Sequence, residues 1–264
     1  MHKFIVCLFL LVTCESYSQH SFLWPDNKKA AIILTYDDAL TSQLNIAIPQ
    51  LDSLHMKGTF FLSGGFAGAD ITRWRNAATN GHELGNHTLY HPCLSGTIKV
   101  NPRFSSEQYD IYSILREIEM MNKMLYAIDG KGNRSYAYPC TETVVGGKDY
   151  VDSLRLSHQI KYARIGGDEN AVIADPAKLD FFKVPAWGFA NNPGGEQLIN
   201  FVKKVQQSGG MGVFMFHGVG GDYLSVTAQA HKQLLQYLYE HKDEIWVGTF
   251  SEVMDYIEKT TGKK

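Results

Sequence analysis

The sequence predicts an α/β protein built on a parallel sheet and folded as a single (β/α) barrel. Three observations lead there. Short apolar runs of strand length alternate with amphipathic segments of helix length along nearly the whole chain. Several runs are almost continuously apolar instead of alternating, as strands covered on both faces must be. The 264 residues contain no linker, repeat or low-complexity tract, and their length suits one barrel. An open doubly wound sheet is the alternative topology that alternation also allows.

Composition narrows the function. A formal charge of −2, with 44% hydrophobic and 20% charged residues, is ordinary for a globular domain. No basic excess points to nucleic acid. The amino terminus has a basic tip and an apolar run over residues 4–12, with small residues at Ser16 and Ser18. This reads as a signal peptide over residues 1–18, too short to span a membrane, leaving a domain over 19–264. The mature chain is then periplasmic or secreted, with no integral membrane span. Lipidation at Cys14 is the second choice, because Thr13 suits the usual bacterial lipid-attachment signal poorly.

The elements follow in order. Residues 30–36 form a buried strand ending in Asp37 and Asp38, and a helix begins at Leu40 with Leu44, Ile48 and Leu51 on one face. One aspartate can cap that helix; two together each raise the other's pKa unless a cation is near. A strand over 58–63 and a helix over 71–79 lead into the stretch 82–92, which carries His87 and His91. A long helix over 105–128 is expected, capped by Ser105 or Ser106. Strands at 134–138, 162–165, 181–185, 212–216 and 245–249 bring the count to seven. Helices at 149–158, 196–207, 225–241 and 251–259 separate most of them.

The chemistry gathers at strand ends. His87 and His91 stand four apart, so one helical turn or a tight loop can aim both at one point. Asp37, Asp38, Cys140 and His217 also follow strand runs directly, and parallel α/β folds build their sites at the carboxyl ends of strands. One aspartate with the two histidines makes an open two-His, one-carboxylate metal set. The other aspartate is left as a general base, and His217 as an acid.

Four segments, Thr35-Tyr36-Asp37-Asp38, His87-Thr88-Leu89-Tyr90-His91, Ala137-Tyr138-Pro139 and Phe214-Met215-Phe216-His217, resemble the ordered motifs of the NodB-type polysaccharide deacetylases. The resemblance runs from about residue 29 to 257 and implies a distorted (β/α) barrel of about seven strands. It implies Asp37 as general base, Asp38, His87 and His91 as ligands of zinc or another divalent transition metal, and His217 as general acid. It places Pro139 and Cys140 in the loop that holds the oxyanion, with Trp187 as a substrate contact. An acetylated oligo- or polysaccharide is then the partner. Two departures stand out: the third motif has no arginine, and the fourth keeps Trp187 without its aspartate. Arg164, at the end of its own strand, either replaces the missing arginine or makes a surface ion pair.

If the loops of His91 and Cys140 frame one metal, Cys93 and Cys140 come close enough for a disulfide in an oxidising compartment. The leading reading is a metal-dependent hydrolase removing N- or O-linked acetyl groups from a carbohydrate. A carbohydrate-binding protein that has lost catalysis is one competitor, opposed by the intact Asp37. A hydrolase of non-sugar amides is another, opposed by the secretion signal. Trp74, Tyr90, Trp187 and Tyr223 can each stack on a sugar or fill the core.

Overall fold

The computed structural model describes residues 22–97, 101–189 and 191–263. The signal peptide expected over 1–18 and Cys14 lie outside the described residues. Strand β1 (Ala30–Asp37) is buried along its entire length. Ile32, Leu34 and Tyr36 pack into one apolar cluster, whereas Ala31 and Ile33 pack into a second on the opposite face. That two-sided burial is why its sequence is an almost unbroken apolar run.

A π-helical turn (Gln43–Ala47) and α1 (Ile48–Ser53) follow β1, then β2 (Thr59–Leu62), α2 (Ile71–Thr79) and β3 (Glu83–Asn86). Helix α3 (Ile111–Asp129) leads to β4 (Ser135–Ala137) and a small hairpin of β5 (Val144–Val145) and β6 (Lys148–Asp149). Next come α4 (Val151–Ser157), β7 (Tyr162–Arg164), β8 (Trp187–Gly188), α5 (Gly195–Ser208) and β9 (Met211–Phe216). Helix α6 (Ala228–Glu240), β10 (Ile245–Gly248) and α7 (Phe250–Thr261) complete the described chain.

Seven strands lie in the order β7-β4-β3-β2-β1-β9-β8, and β10 pairs with β1 beside them. Every pairing in this sheet is parallel. Single bridges from Arg164 to Val184 and from Gly167 to Trp187 link the two ends. The sheet therefore curls into a distorted, incompletely laddered (β/α) barrel forming a single domain.

Several expected boundaries move. Strand β3 appears where only an approach to the histidines was expected; with Leu84 alone as a large apolar residue, it lacks the run that marks its neighbours. The strand expected at 181–185 is a turn with one bridge. The Asp180 side chain and carbonyl accept from Phe182 N and Lys183 N, and Pro185 has no N–H to extend a ladder. Helix α3 starts later than expected. Asp110, not Ser105 or Ser106, caps it by accepting from Ser113 N, because Ser105 is extended and precedes a separate short turn.

Candidate active site

At the carboxyl end of the sheet, Asp37 continues the pleat of β1, so its carboxylate lies on the face shared by Ile33 and Thr35. Asp38 and Ala39 then adopt left-handed backbone, at φ 76° and 56°. Aspartate tolerates that conformation better than most residues, and it breaks the pleat that would otherwise turn Asp38 away from its neighbour.

His87 follows β3 directly. Its Nδ1 lies 2.8 Å from the Ala137 carbonyl, to which it donates, so the Nε2 lone pair is free to face Asp38. His91 is reached through a loop rather than a helical turn, since Thr88 and His91 both have positive φ, at 63° and 51°. Glu117 of α3 holds that loop by accepting from Tyr90 N at 3.1 Å, and its other oxygen accepts from Tyr109.

The three side chains meet. The Nε2 atoms of His87 and His91 are 3.1 Å apart, and Asp38 Oδ1 lies 3.4 and 3.3 Å from them. A tetrahedron with zinc-like bonds of about 2.0–2.1 Å has edges of about 3.3 Å. Two imidazole nitrogens and one carboxylate oxygen at this spacing fit a divalent transition metal with coordination positions to spare.

Electrostatics within the site run the same way. Burial opposes ionisation of Asp38, but the hydrogen bond and charge of His87, with His91 and His217, hold its carboxyl well below the usual range. Burial, then the neighbouring His87, push His91 down to about 4.

Asp37 has a different set of partners. It is 2% exposed, and its Oδ2 accepts from Arg164 Nη2 at 2.5 Å. Arg164 is 1% exposed, so the pair is interior and not a surface ion pair. The guanidinium also lies over the Phe61 ring, 5.2 Å from its centroid. Gly85 makes room for that ring, because a Cβ there would overlap it. Asp37 Oδ1 and two Arg164 nitrogens are buried and have no hydrogen-bond partner among the described residues.

His217 Nε2 sits 3.7 Å from Asp38 Oδ2. Cys140, at φ 50°, lines the cleft and is joined to Cys93 in a disulfide with the Cα atoms 5.8 Å apart. Pro139 is buried behind it. The cleft has a volume of about 630 Å³, and Thr97, Met215, Tyr223 and Leu224 contribute to its walls.

One expected contact is corrected. Trp187 is only 7% exposed and packs against Phe189, Phe201 and Phe214, so it belongs to the core and does not line this cleft. Trp74 is likewise buried, whereas Tyr90 and Tyr223 are exposed.

Two contributors carried no motif. Gln43 Nε2 reaches both the Asp37 and His217 carbonyls, at 2.5 and 3.1 Å, and so ties the β1 and β9 ends together. A buried glutamine soon after the aspartates, among apolar helical positions, was the available signal. Tyr223 OH donates to Asp38 Oδ2 at 2.7 Å, and a lone tyrosine in a glycine-rich loop gave no signal for that role.

A polysaccharide deacetylase family domain is matched over residues 25–154 of this chain, the stretch that carries Asp37, Asp38, His87, His91 and Cys140. A gellan lyase of Bacillus sp. is 25% identical over 248 residues, 89% of this chain but 10% of that protein. A peptidoglycan-N-acetylglucosamine deacetylase of Bacillus cereus is 33% identical over 111 residues, 42% of this chain and 37% of its own length. The chain thus spans well under half of either relative. Among solved structures, a candidate polysaccharide deacetylase from Mycobacterium smegmatis superposes with a TM-score of 0.63 at 17% identity, covering 90% of this chain and 93% of that one. This last likeness concerns the fold. Among the described residues, no helix is long and apolar enough to cross a membrane.

Proposed function

We propose that this chain is a secreted or periplasmic zinc-dependent hydrolase that removes acetyl groups from a carbohydrate. The convergence of Asp38 Oδ1 with the Nε2 atoms of His87 and His91, at 3.1–3.4 Å, is the observation that carries the reading. A zinc ion held by these three residues would polarise the acetyl carbonyl and make water a better nucleophile.

The remaining steps fall to the chain's own groups. Asp37 is the general base. Arg164 occupies its Oδ2 and leaves Oδ1, the unpartnered buried atom, to accept a proton from the attacking water. Arg164 thereby takes the orienting role of the arginine absent from the third motif, from strand β7 in place of β4. The Cys140 backbone N–H, presented by a strained turn, donates to the developing oxyanion. His217 donates the proton that the departing amine or alcohol needs.

The test is acetate release from acetylated chitin, peptidoglycan and xylan fragments, before chelation, after it, and after zinc is restored. Release from at least one substrate, lost on chelation and regained with zinc, is expected. Metal-loaded protein that releases no acetate from any of them overturns the reading.

A further inference from the structure

We propose that Tyr223 is a positioning residue for the metal ligand Asp38, and that the loop after β9 is shaped to deliver it. The inference rests on the metal reading above and adds a residue that the family motifs do not contain. Asp38 has two oxygens with different neighbours. Oδ1 faces the two histidines, while Oδ2 accepts from the Tyr223 hydroxyl at 2.7 Å. A carboxylate held this way cannot swing both oxygens toward one ion. Its rotation is fixed, and the hydrogen bond draws charge from the oxygen that does not coordinate.

The loop is over-determined in a way that a simple surface turn does not require. Asp222 and Leu224, on either side of Tyr223, both adopt left-handed backbone, at φ 61° and 44°. Each non-glycine residue there costs about 1–2 kcal/mol, so other contacts must hold it. They are present. Gly218 N donates to the Tyr223 carbonyl at 3.1 Å, and Gly220 N donates to the Val226 carbonyl at 2.7 Å. Asp222 Oδ2 accepts from Ser42 N at 2.7 Å, and Ser42 Oγ accepts from Val219 N at 3.1 Å. Ser42 lies just before the π-helical turn whose Gln43 ties the Asp37 and His217 strand ends. The loop is therefore anchored to the same segment that sets the spacing of the proposed base and acid.

The competing role for a 53% exposed tyrosine at a cleft wall is a face on which a sugar stacks. Tyr223→Phe separates the two, because it keeps the ring and removes the hydroxyl. The measurement is the zinc dissociation constant of the metal-free protein, by competition with a chromophoric chelator, alongside the melting temperature of the metal-free form. Tyr223→Phe should bind zinc about 10–100-fold more weakly with an unchanged melting temperature. Asp222→Ala, which frees the loop from Ser42, should weaken zinc binding in the same direction. If Tyr223→Phe binds zinc within about twofold of the wild type, the inference fails while the metal reading stands. If the wild type takes up no stoichiometric zinc, the metal reading fails and takes this inference with it.

Discussion

Two buried carboxylates, Glu83 and Asp37, occupy opposite ends of the same sheet and are treated in opposite ways. Glu83, at the amino end of β3, has both oxygens occupied: Ser135 Oγ donates to one at 2.5 Å, and Thr59 Oγ1 and Ser251 N donate to the other at 2.9 Å each. Thr59 Oγ1 accepts in turn from Phe250 N at 2.8 Å. This network sews β2, β3, β4 and the start of α7 together. At the carboxyl end, Asp37 has one oxygen on Arg164; its other oxygen and two Arg164 nitrogens have no partner among the described residues. Buried polar atoms are nearly always satisfied, so three exceptions within one ion pair beside the proposed metal ligands call for an explanation that isolated ones such as Arg134 Nε do not. Glu83 is held as architecture, and the open oxygen of Asp37 suits the base proposed above.

Removing single partners should break the contrast, beginning at the unsaturated end. Arg164→Met leaves the Asp37 carboxylate buried and unpaired, a loss of about 3–5 kcal/mol in urea unfolding. Adding Asp37→Asn to that variant should recover much of the loss, since no buried charge remains. A double variant no more stable than the single one would mean that the ion pair is not what Arg164 supplies.

The disulfide comes next. Cys93 and Cys140 close a loop with a sequence separation of 47, and replacing both by serine should cost about 2–4 kcal/mol in denaturant unfolding. Because Cys93 lies two residues after His91, zinc affinity should fall as well. Unchanged affinity would show that the Glu117 anchor holds the loop by itself.

Glu83 should give the smallest effect, and one with a definite pH dependence. Burial raises its pKa, against the hydrogen bonds from Ser135, Ser251 and Thr59. A raised folded pKa contributes stability that is fully present below the unfolded value near 4.5 and is lost as pH rises through the folded value. Glu83→Gln, which cannot ionise, should lose about 1 kcal/mol at low pH, where the protonated acid donates and accepts better. The difference should shrink, or change sign, toward neutral pH. A gap that widens as pH rises would mean that Glu83 is stabilised in its charged form. Acetate release by the folded variant should match the wild type.

Much of the barrel could be read from the sequence because its central strands are apolar on both faces, as β1 and β9 show. Elements escaped where that signal failed. Strand β3 has one large apolar residue, and the buried Phe181, Phe182 and Val184 look like a strand although Asp180 and Pro185 make them a turn. That Asp37, Asp38, His87, His91, Cys140 and His217 line one cleft was legible because each follows a strand or stands at ligand spacing. Arg164 shared the strand-end mark but left two roles open, and Tyr223 had no mark as a partner of Asp38. The pairing of Arg164 with Asp37 joins strands 127 residues apart, and Tyr223 reaches Asp38 across 185. Spacing along the chain carries no information about those contacts. Trp187 shows the converse, since its motif position suggested the cleft while its size and apolar neighbours placed it in the core.

The most direct test of the account is to measure zinc content and acetate release together for two neighbouring substitutions. Asp37→Asn should retain stoichiometric zinc and release acetate about 10²–10⁴-fold more slowly, because the base is gone and the ligand set is whole. Asp38→Asn should lose its zinc and its activity together. If Asp37→Asn loses the metal while Asp38→Asn keeps it, the division of labour between the two aspartates is the reverse of the one argued from their geometry.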